Sequence, residues 1–128
     1  MTEVTWLVLA VVLGAVHLGI AAQMAQKYRT ADWGFGPRDE PMPPQGIAAR
    51  VDRAYRNFLE TFPLFAAALL AVVVQGKMGD LSWWGAAIYV VARIVYVPLY
   101  AGGIKYVRTA AWTVGTIGIV LEVIAAIK

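Results

Sequence analysis

The chain has 128 residues, of which 60% are hydrophobic and 15% charged, and its formal net charge is +3. Soluble domains carry about 25% charged residues, so this composition is typical of a membrane protein and not of a soluble domain that reads nucleic acid. The absence of cysteine excludes a disulfide framework, a thiolate zinc site, an iron–sulfur cluster and a cysteine nucleophile, and we expect no metal site. The length suits one domain, residues 1–128, of four membrane helices of about 20 residues each.

The first predicted helix covers residues 4–28. Its uncharged part, Val4 to Ala25, is about 33 Å long as a helix, which is enough to cross the hydrocarbon core of a bilayer. Glu3 stands where a signal peptide would have a basic start, so we expect this helix to be retained. Residues 30–46 hold four of the six prolines and are predicted to form a surface loop.

Three further helices are predicted, at residues 47–75, 82–103 and 106–127. The second helix of the chain starts charged and amphipathic and continues as a strongly apolar segment interrupted by Pro63. The third opens with Trp83 and Trp84, as expected at a membrane–water interface. The fold class is therefore an all-α, integral membrane four-helix bundle.

The distribution of basic residues predicts the orientation. In a four-span chain the first and third connections lie on the same side. That side carries eight basic residues, Lys27, Arg29, Arg38, Arg50, Arg53, Arg56, Lys105 and Arg108, and the other carries Lys77 and Lys128. By the positive-inside rule, the connections with eight basic residues are cytoplasmic and both termini lie on the opposite side.

Several polar residues lie within the predicted membrane-spanning helices, where such residues are rare. Arg53, Asn57 and Glu60 share one face of the second helix by their spacing, and we expect Arg56 to brace Glu60 from one turn away. The third helix has a similar stripe, formed by Arg93, Tyr96 and Tyr100. The fourth helix begins near the same end and carries Arg108 there. An ionisable group in a span costs at least about 2.5 kcal/mol and therefore needs a partner or a function.

Two interpretations of this cluster remain open. Glu60 and Arg93 lie at similar depth and can form a buried ion pair that holds two helices together. Alternatively, the excess of guanidinium over carboxylate suits an anionic ligand with more than one carboxylate.

Two isolated polar residues are given structural roles. His17 has no neighbouring acid or second histidine, so we expect it to hydrogen-bond to an adjacent helix. Glu122 lies near the outer end of the last helix, where we expect its carboxylate to reach the interface.

Two segments resemble signatures of a known family. The run RAYRNFLETFPLF at residues 53–65 resembles the second-helix signature of the membrane-associated proteins in eicosanoid and glutathione metabolism (MAPEG), and ARIVYVPLY at residues 92–100 resembles their third-helix signature. The resemblance covers essentially the whole chain, whose brevity and lack of tails are similar to those of bacterial members. It implies a homotrimer in the bacterial inner membrane, with glutathione as co-substrate bound between subunits toward the cytoplasmic leaflet.

The resemblance also implies roles for individual residues. By position, the glutathione contacts would be Arg53, Arg56, Asn57 and Glu60 on the second helix and Tyr96 and Tyr100 on the third. Arg93 could take a carboxylate, and Arg108 would stabilise the thiolate as the catalytic residue. Either Lys27 or Arg29 would supply the basic residue that relatives have near the end of the first helix.

The function implied is that of a glutathione transferase or peroxidase acting on lipophilic electrophiles that reach the sulfur from the surrounding membrane lipids. An alternative within the same fold is a non-catalytic protein that binds lipid-like ligands. A small multidrug-type transporter is disfavoured, because such a protein usually has a carboxylate in its first span, and this span has only His17.

Overall fold

The computed structural model describes residues 1–128, and all of its regular structure is helical. Its elements are α1 (Glu3–Gln26), α2 (Ala31–Phe35), α3 (Gly46–Val74), α4 (Asp80–Ala101) and α5 (Val107–Ile127). Four of them, α1, α3, α4 and α5, are long and apolar enough to cross a membrane, which confirms the predicted all-α membrane bundle. Their ends differ from the predicted ends by at most two residues.

The connection between α1 and α3, predicted as a surface loop, also contains the short helix α2. The Thr30 hydroxyl caps its start by accepting a hydrogen bond from the Trp33 backbone N–H at 3.2 Å. The helix ends before Pro37 and has only five residues. So short an element has too few residues to show a helical period, and the sequence pattern could not reveal it.

The four long helices run alternately up and down, with α3 and α4 at the centre. α3 packs against α1, α4 and α5, and α4 packs against the same two outer helices, whereas α1 and α5 do not pack against each other. Only 28 of the 128 residues are buried, and many of the exposed side chains on the spans are Val, Leu and Ile. So large an exposed apolar surface is expected of a protein that is surrounded by lipid.

The core of the bundle is an aromatic pair surrounded by aliphatic side chains. The rings of Phe65 on α3 and Tyr89 on α4 stack with their centroids 4.1 Å apart, and neither side chain is exposed. The Tyr89 hydroxyl shares a 2.9 Å hydrogen bond with that of Thr61, so its polar atom is satisfied inside the bundle. The buried cluster consists of Ala10, Phe65, Leu69, Ala86, Tyr89, Val90 and Ile119.

Glycines let α4 and α5 approach each other closely. A Cβ atom on Gly118 would lie 2.7 Å from the carbonyl oxygen of Gly85, and one on Gly85 would lie 2.9 Å from the carbonyl oxygen of Gly118. Both obstacles are backbone atoms, which cannot move aside as a side chain can. Small residues at such crossings are the usual means of close helix packing in membranes.

The bundle has two chemically different ends. We call the end with the 27–45 and 102–106 connections the basic end, and the end with both chain termini and the 75–79 turn the terminal end. At the basic end the Arg50 guanidinium (Nη1) donates to the Ala101 carbonyl at 3.1 Å, joining the start of α3 to the end of α4. At the terminal end the Glu3 carboxylate accepts from the Ser82 hydroxyl at 2.8 Å, joining α1 to α4.

Candidate functional site

The candidate site begins with a contact between the two polar stripes. The Nη1 group of Arg93 on α4 donates to the Asn57 Oδ1 atom on α3 at 2.8 Å. The two predicted stripes therefore meet, but through the amide and not through the carboxylate of Glu60. Glu60 is exposed and makes no ion pair, so the predicted Glu60–Arg93 pair does not form in this chain.

Arg93 is buried without an acidic partner. Its side chain is 1% exposed, and its Nε and Nη2 atoms have no hydrogen-bond acceptor. The guanidinium carbon instead lies 4.3 Å from the centroid of the Tyr96 ring and 5.7 Å from that of Phe58. Aromatic faces attract a cation, but they leave its N–H donors free for an anion.

Tyr100 lies between two further arginines. Its hydroxyl accepts a hydrogen bond from the Arg53 Nε–H at 3.1 Å, and the guanidinium carbon of Arg108 lies 5.0 Å from its ring centroid. Residues from α3, α4 and α5 thus converge at the basic end, as the sequence predicted. Neither of these two arginines makes an ion pair with a protein carboxylate.

A cavity of about 200 Å³ opens beside this group of residues. It is lined by Asn57, Tyr96, Arg108, Thr109 and Trp112. Thr109 and Trp112 were not among the residues predicted from the sequence. Trp112 follows Arg108 by one helical turn, and this spacing is the signal that could have indicated it.

The expected support of Glu60 by Arg56 is wrong. The Arg56 Nε atom instead lies 3.1 Å from the Asp52 carboxylate, one turn earlier on the same helix. Both spacings are compatible with a helix, but a pair with the acid on the N-terminal side of the base is the more favourable, and Asp52–Arg56 has that order. Arg56 and Glu60 are exposed, and neither makes a hydrogen bond or an ion pair with Arg93.

The two basic candidates near the end of α1 lie in different surroundings. Arg29 lines a cavity of about 360 Å³ together with Arg53 and Arg56, and its Nε–H donates to the Met42 carbonyl at 3.0 Å. Lys27 is exposed and lies against the ring of Tyr28, outside this cavity. Of the two, Arg29 is the one that lies with other candidate residues.

The other two polar residues of the spans have different outcomes. The His17 Nε2–H donates a 3.2 Å hydrogen bond to the Val51 carbonyl on α3, which confirms its structural role. The expectation that Glu122 reaches the interface is wrong, because its side chain is fully buried and neither carboxylate oxygen has a hydrogen-bond partner. No group of three or more His, Asp or Glu side chains in the chain could hold a metal ion.

Four membrane-crossing helices with a cationic polar cluster at one end define the class of this chain, an integral membrane four-helix protein. The family model described as "MAPEG family" matches residues 4–128, so the chain belongs to the MAPEG family, the membrane-associated proteins in eicosanoid and glutathione metabolism. No curated protein matches the chain significantly.

Proposed function

We propose that the protein is a membrane-bound glutathione transferase or peroxidase that acts on lipophilic electrophiles. The observation that carries this proposal is the surplus of free guanidinium groups at the basic end. Two donor nitrogens of Arg93 are unpaired, and Arg53 and Arg108 lie against Tyr100 without an ion pair to a carboxylate. A polar cluster with this imbalance is suited to an anionic ligand.

Glutathione carries two carboxylates and one ammonium group, which are complementary to the arginines and to Glu60 of this cluster. Its two carboxylates would pair with arginines on α3 and α4, and its ammonium group would pair with Glu60, which is exposed and has no cationic partner. A free thiol with a pKa of about 8.5 is mostly protonated at neutral pH, and a nearby guanidinium lowers that pKa. Arg108, beside the cavity of Asn57 and Tyr96, is the residue we assign to the thiolate.

The thiolate would attack an electrophilic carbon and form a carbon–sulfur bond, while the leaving group departs with the electron pair. With a peroxide, the thiolate sulfur would bond to one peroxide oxygen while the oxygen–oxygen bond breaks, giving a sulfenic acid and an alkoxide that takes a proton from water to become an alcohol. The thiol of a second glutathione would then convert the sulfenic acid to a disulfide and water. The co-substrate would enter from the bilayer, since the surrounding helix faces are apolar.

We further propose a homotrimer in a bacterial inner membrane, with the basic end in the cytoplasm and both termini on the other side. The distribution of basic residues between the two ends supports this orientation. Arg56 and Glu60 lie on the outer face of α3, where a neighbouring subunit could complete a glutathione site with them. Tyr96, Tyr100 and Arg29 would contribute at the same end.

The proposal is tested by calorimetric titration of glutathione into detergent-purified protein and by turnover of an electrophile with and without Arg108→Ala. We expect glutathione binding in the wild type and a loss of turnover of about a hundredfold in the variant, because a thiolate-stabilising cation is removed. Arg38→Ala, which removes an exposed arginine outside the cluster, is the matched control. Absence of glutathione binding together with unchanged turnover in Arg108→Ala would contradict the proposal.

A second candidate is a non-catalytic protein that binds lipid-like ligands. It is favoured by a groove of about 410 Å³ between α4 and α5 whose lining is entirely apolar: Trp84, Ala87, Ile88, Val91, Ala92, Val95, Ala111 and Val114. The ultraviolet absorbance of the thiolate separates the two candidates, since it rises when glutathione is ionised in a catalytic site and stays unchanged for a non-catalytic protein.

A further inference from the structure

A second cavity at the basic end has a lining with four cations and no acid, and it shares Arg53, Tyr100 and Arg108 with the proposed glutathione site. Its volume is about 360 Å³, and we call it the cationic cavity. It is formed by Arg50, Arg53, Lys105 and Arg108 around Tyr100 and Gly103, with Ile104 at its edge. Two of these cations, Arg50 and Lys105, have no role in the glutathione site proposed above.

The backbone holds Arg50 in place. Its Nη1 group donates to the Ala101 carbonyl at 3.1 Å, and a Cβ atom on Gly103 would lie 3.1 Å from the same nitrogen. Gly103 also has a φ of +68°, a conformation that side chains disfavour, so the guanidinium packs against bare backbone. One hydrogen bond uses only part of a guanidinium, which has five donors in a planar fork.

No protein acid neutralises the cavity. The only ion pair of the chain joins Arg56 to Asp52, and neither of these residues lines it. Lys105 is exposed, and its ammonium group lies 5.0 Å from the centroid of the Tyr106 ring without an anionic partner. Four cations around one space repel one another, so an anion that enters it gains free energy from all four.

The ends of α3, α4 and α5 place the cavity at the level where a membrane helix leaves the hydrocarbon core. Fixed guanidinium forks and a flexible ammonium group are the usual ligands of phosphate oxygens. A phosphate group matches this cation density better than a lone carboxylate because it offers more acceptor oxygens. We propose that the cationic cavity binds the phosphate group of an anionic ligand other than glutathione, with Arg50 and Lys105 as ligands that belong to this site alone.

The phosphate group could belong to a lipid headgroup or to a soluble molecule, and two arms of one experiment distinguish these sources. In the first arm, phosphatidylglycerol and phosphatidylcholine are titrated into protein in neutral detergent, and bound lipid is counted by native mass spectrometry. In the second arm, inorganic pyrophosphate is titrated by calorimetry without added lipid. Each arm uses the wild type, Arg50→Gln, Lys105→Gln and the control Arg38→Gln, whose arginine lies at the same end outside the cavity.

We expect tighter binding of phosphatidylglycerol than of phosphatidylcholine, and a loss of about fivefold in that affinity for each cavity variant, since a cation near the surface contributes about 1 kcal/mol. The control should keep the wild-type affinity. Pyrophosphate binding with the same variant dependence would support the site with a soluble ligand as its source. Because Arg50 also bonds to the backbone, the exposed Lys105 provides the variant in which folding is not at risk.

Two results would overturn the inference. One is binding of neither probe, or binding that the cavity variants and the control change equally. The other is a Lys105→Gln protein that keeps its phosphate affinity and loses glutathione affinity, which would make the cavity part of the glutathione site. The proposed function fails if the wild type does not bind glutathione and Arg108→Ala keeps its turnover. Those measurements involve neither a phosphate probe nor the Arg50 and Lys105 variants, so the two failures are distinguishable.

Discussion

Near the terminal end of the bundle, Glu3 and Lys77 are hydrogen-bonded to the protein. At the basic end, Lys27, Lys105 and Arg108 make no hydrogen bond or ion pair with the protein. The Glu3 carboxylate accepts hydrogen bonds from the Ser82 hydroxyl and the Gly79 N–H, and the Lys77 ammonium group donates to the Ala126 carbonyl at 2.8 Å. Arg108, at the other end, has only an aromatic ring as a neighbour for its charge. Satisfied polar groups stabilise a fold, and free cations are available to a ligand.

Packing differs in the same way. Near the terminal end, Gly85 and Gly118 bring the backbones of α4 and α5 into contact, and Ser82 is completely buried. At the basic end, the segment 102–110 is exposed throughout, and three cavities open among the arginines. The terminal end therefore holds the helices together, while the basic end exposes polar side chains to a possible ligand. Substitutions in the two halves should therefore have different consequences.

The largest expected effect is on stability, at the glycine crossing. Gly118→Ala places a methyl group 2.7 Å from a backbone oxygen and 2.8 Å from the Tyr89 backbone nitrogen, so α4 and α5 must separate. We expect a loss of about 3 kcal/mol in the free energy of unfolding, measured by denaturant unfolding in micelles. Gly19→Ala is the matched control, because nothing lies within 4 Å of that position. Equal stability of the two variants would contradict the packing difference between the ends.

The contact between Asn57 and Arg93 should give the next largest effect. Asn57→Ala removes the only hydrogen-bond acceptor of a buried guanidinium, and we expect a loss of about 2 kcal/mol in the free energy of unfolding. In an Arg93→Met background the same substitution should cost little, because no buried charge then needs the amide.

This double-mutant cycle measures the coupling of the two side chains directly. A coupling below about 0.5 kcal/mol would show that the contact does not contribute to stability, since residues that interact normally exceed that value. The contact between Asn57 and Arg93 would then be available only for ligand binding. The basic end would contribute even less to stability, and the terminal end correspondingly more.

The fold was largely predictable from the sequence because the membrane restricts the alternatives. Long apolar runs can satisfy their backbone in lipid only as helices, so the four spans follow from hydropathy and length. The convergence of polar residues at the basic end was also predictable, because helical spacing aligns Arg93 with Tyr96 and Tyr100, and connectivity brings α3 and α4 together there.

Pairing and helix rotation could not be predicted in the same way. Arg56 has acids one turn away on both sides, and only the small preference for an acid on the N-terminal side of the base favours Asp52 over Glu60. In α5 almost every residue is apolar, so hydropathy does not show which face is buried. A stripe of small residues was the available signal: Gly115, Gly118 and Ala125 are buried on the face that carries Glu122.

The smallest expected effect on stability comes from the outer face of α3, where the ion pair of Arg56 and Asp52 has side chains that are 72% and 24% exposed. Arg56→Gln should change the free energy of unfolding by at most about 0.5 kcal/mol, because an exposed pair contributes little. If Arg56 contacts a glutathione carboxylate, the same variant should weaken glutathione binding about tenfold by calorimetry. Asp52→Asn is the matched variant, since it breaks the same ion pair but keeps the arginine, and its glutathione affinity should not fall. An equal loss of affinity in both variants would mean that the ion pair positions the glutathione site and that the Arg56 charge does not bind the ligand. Unfolding of Arg56→Gln would show that the basic end also stabilises the fold.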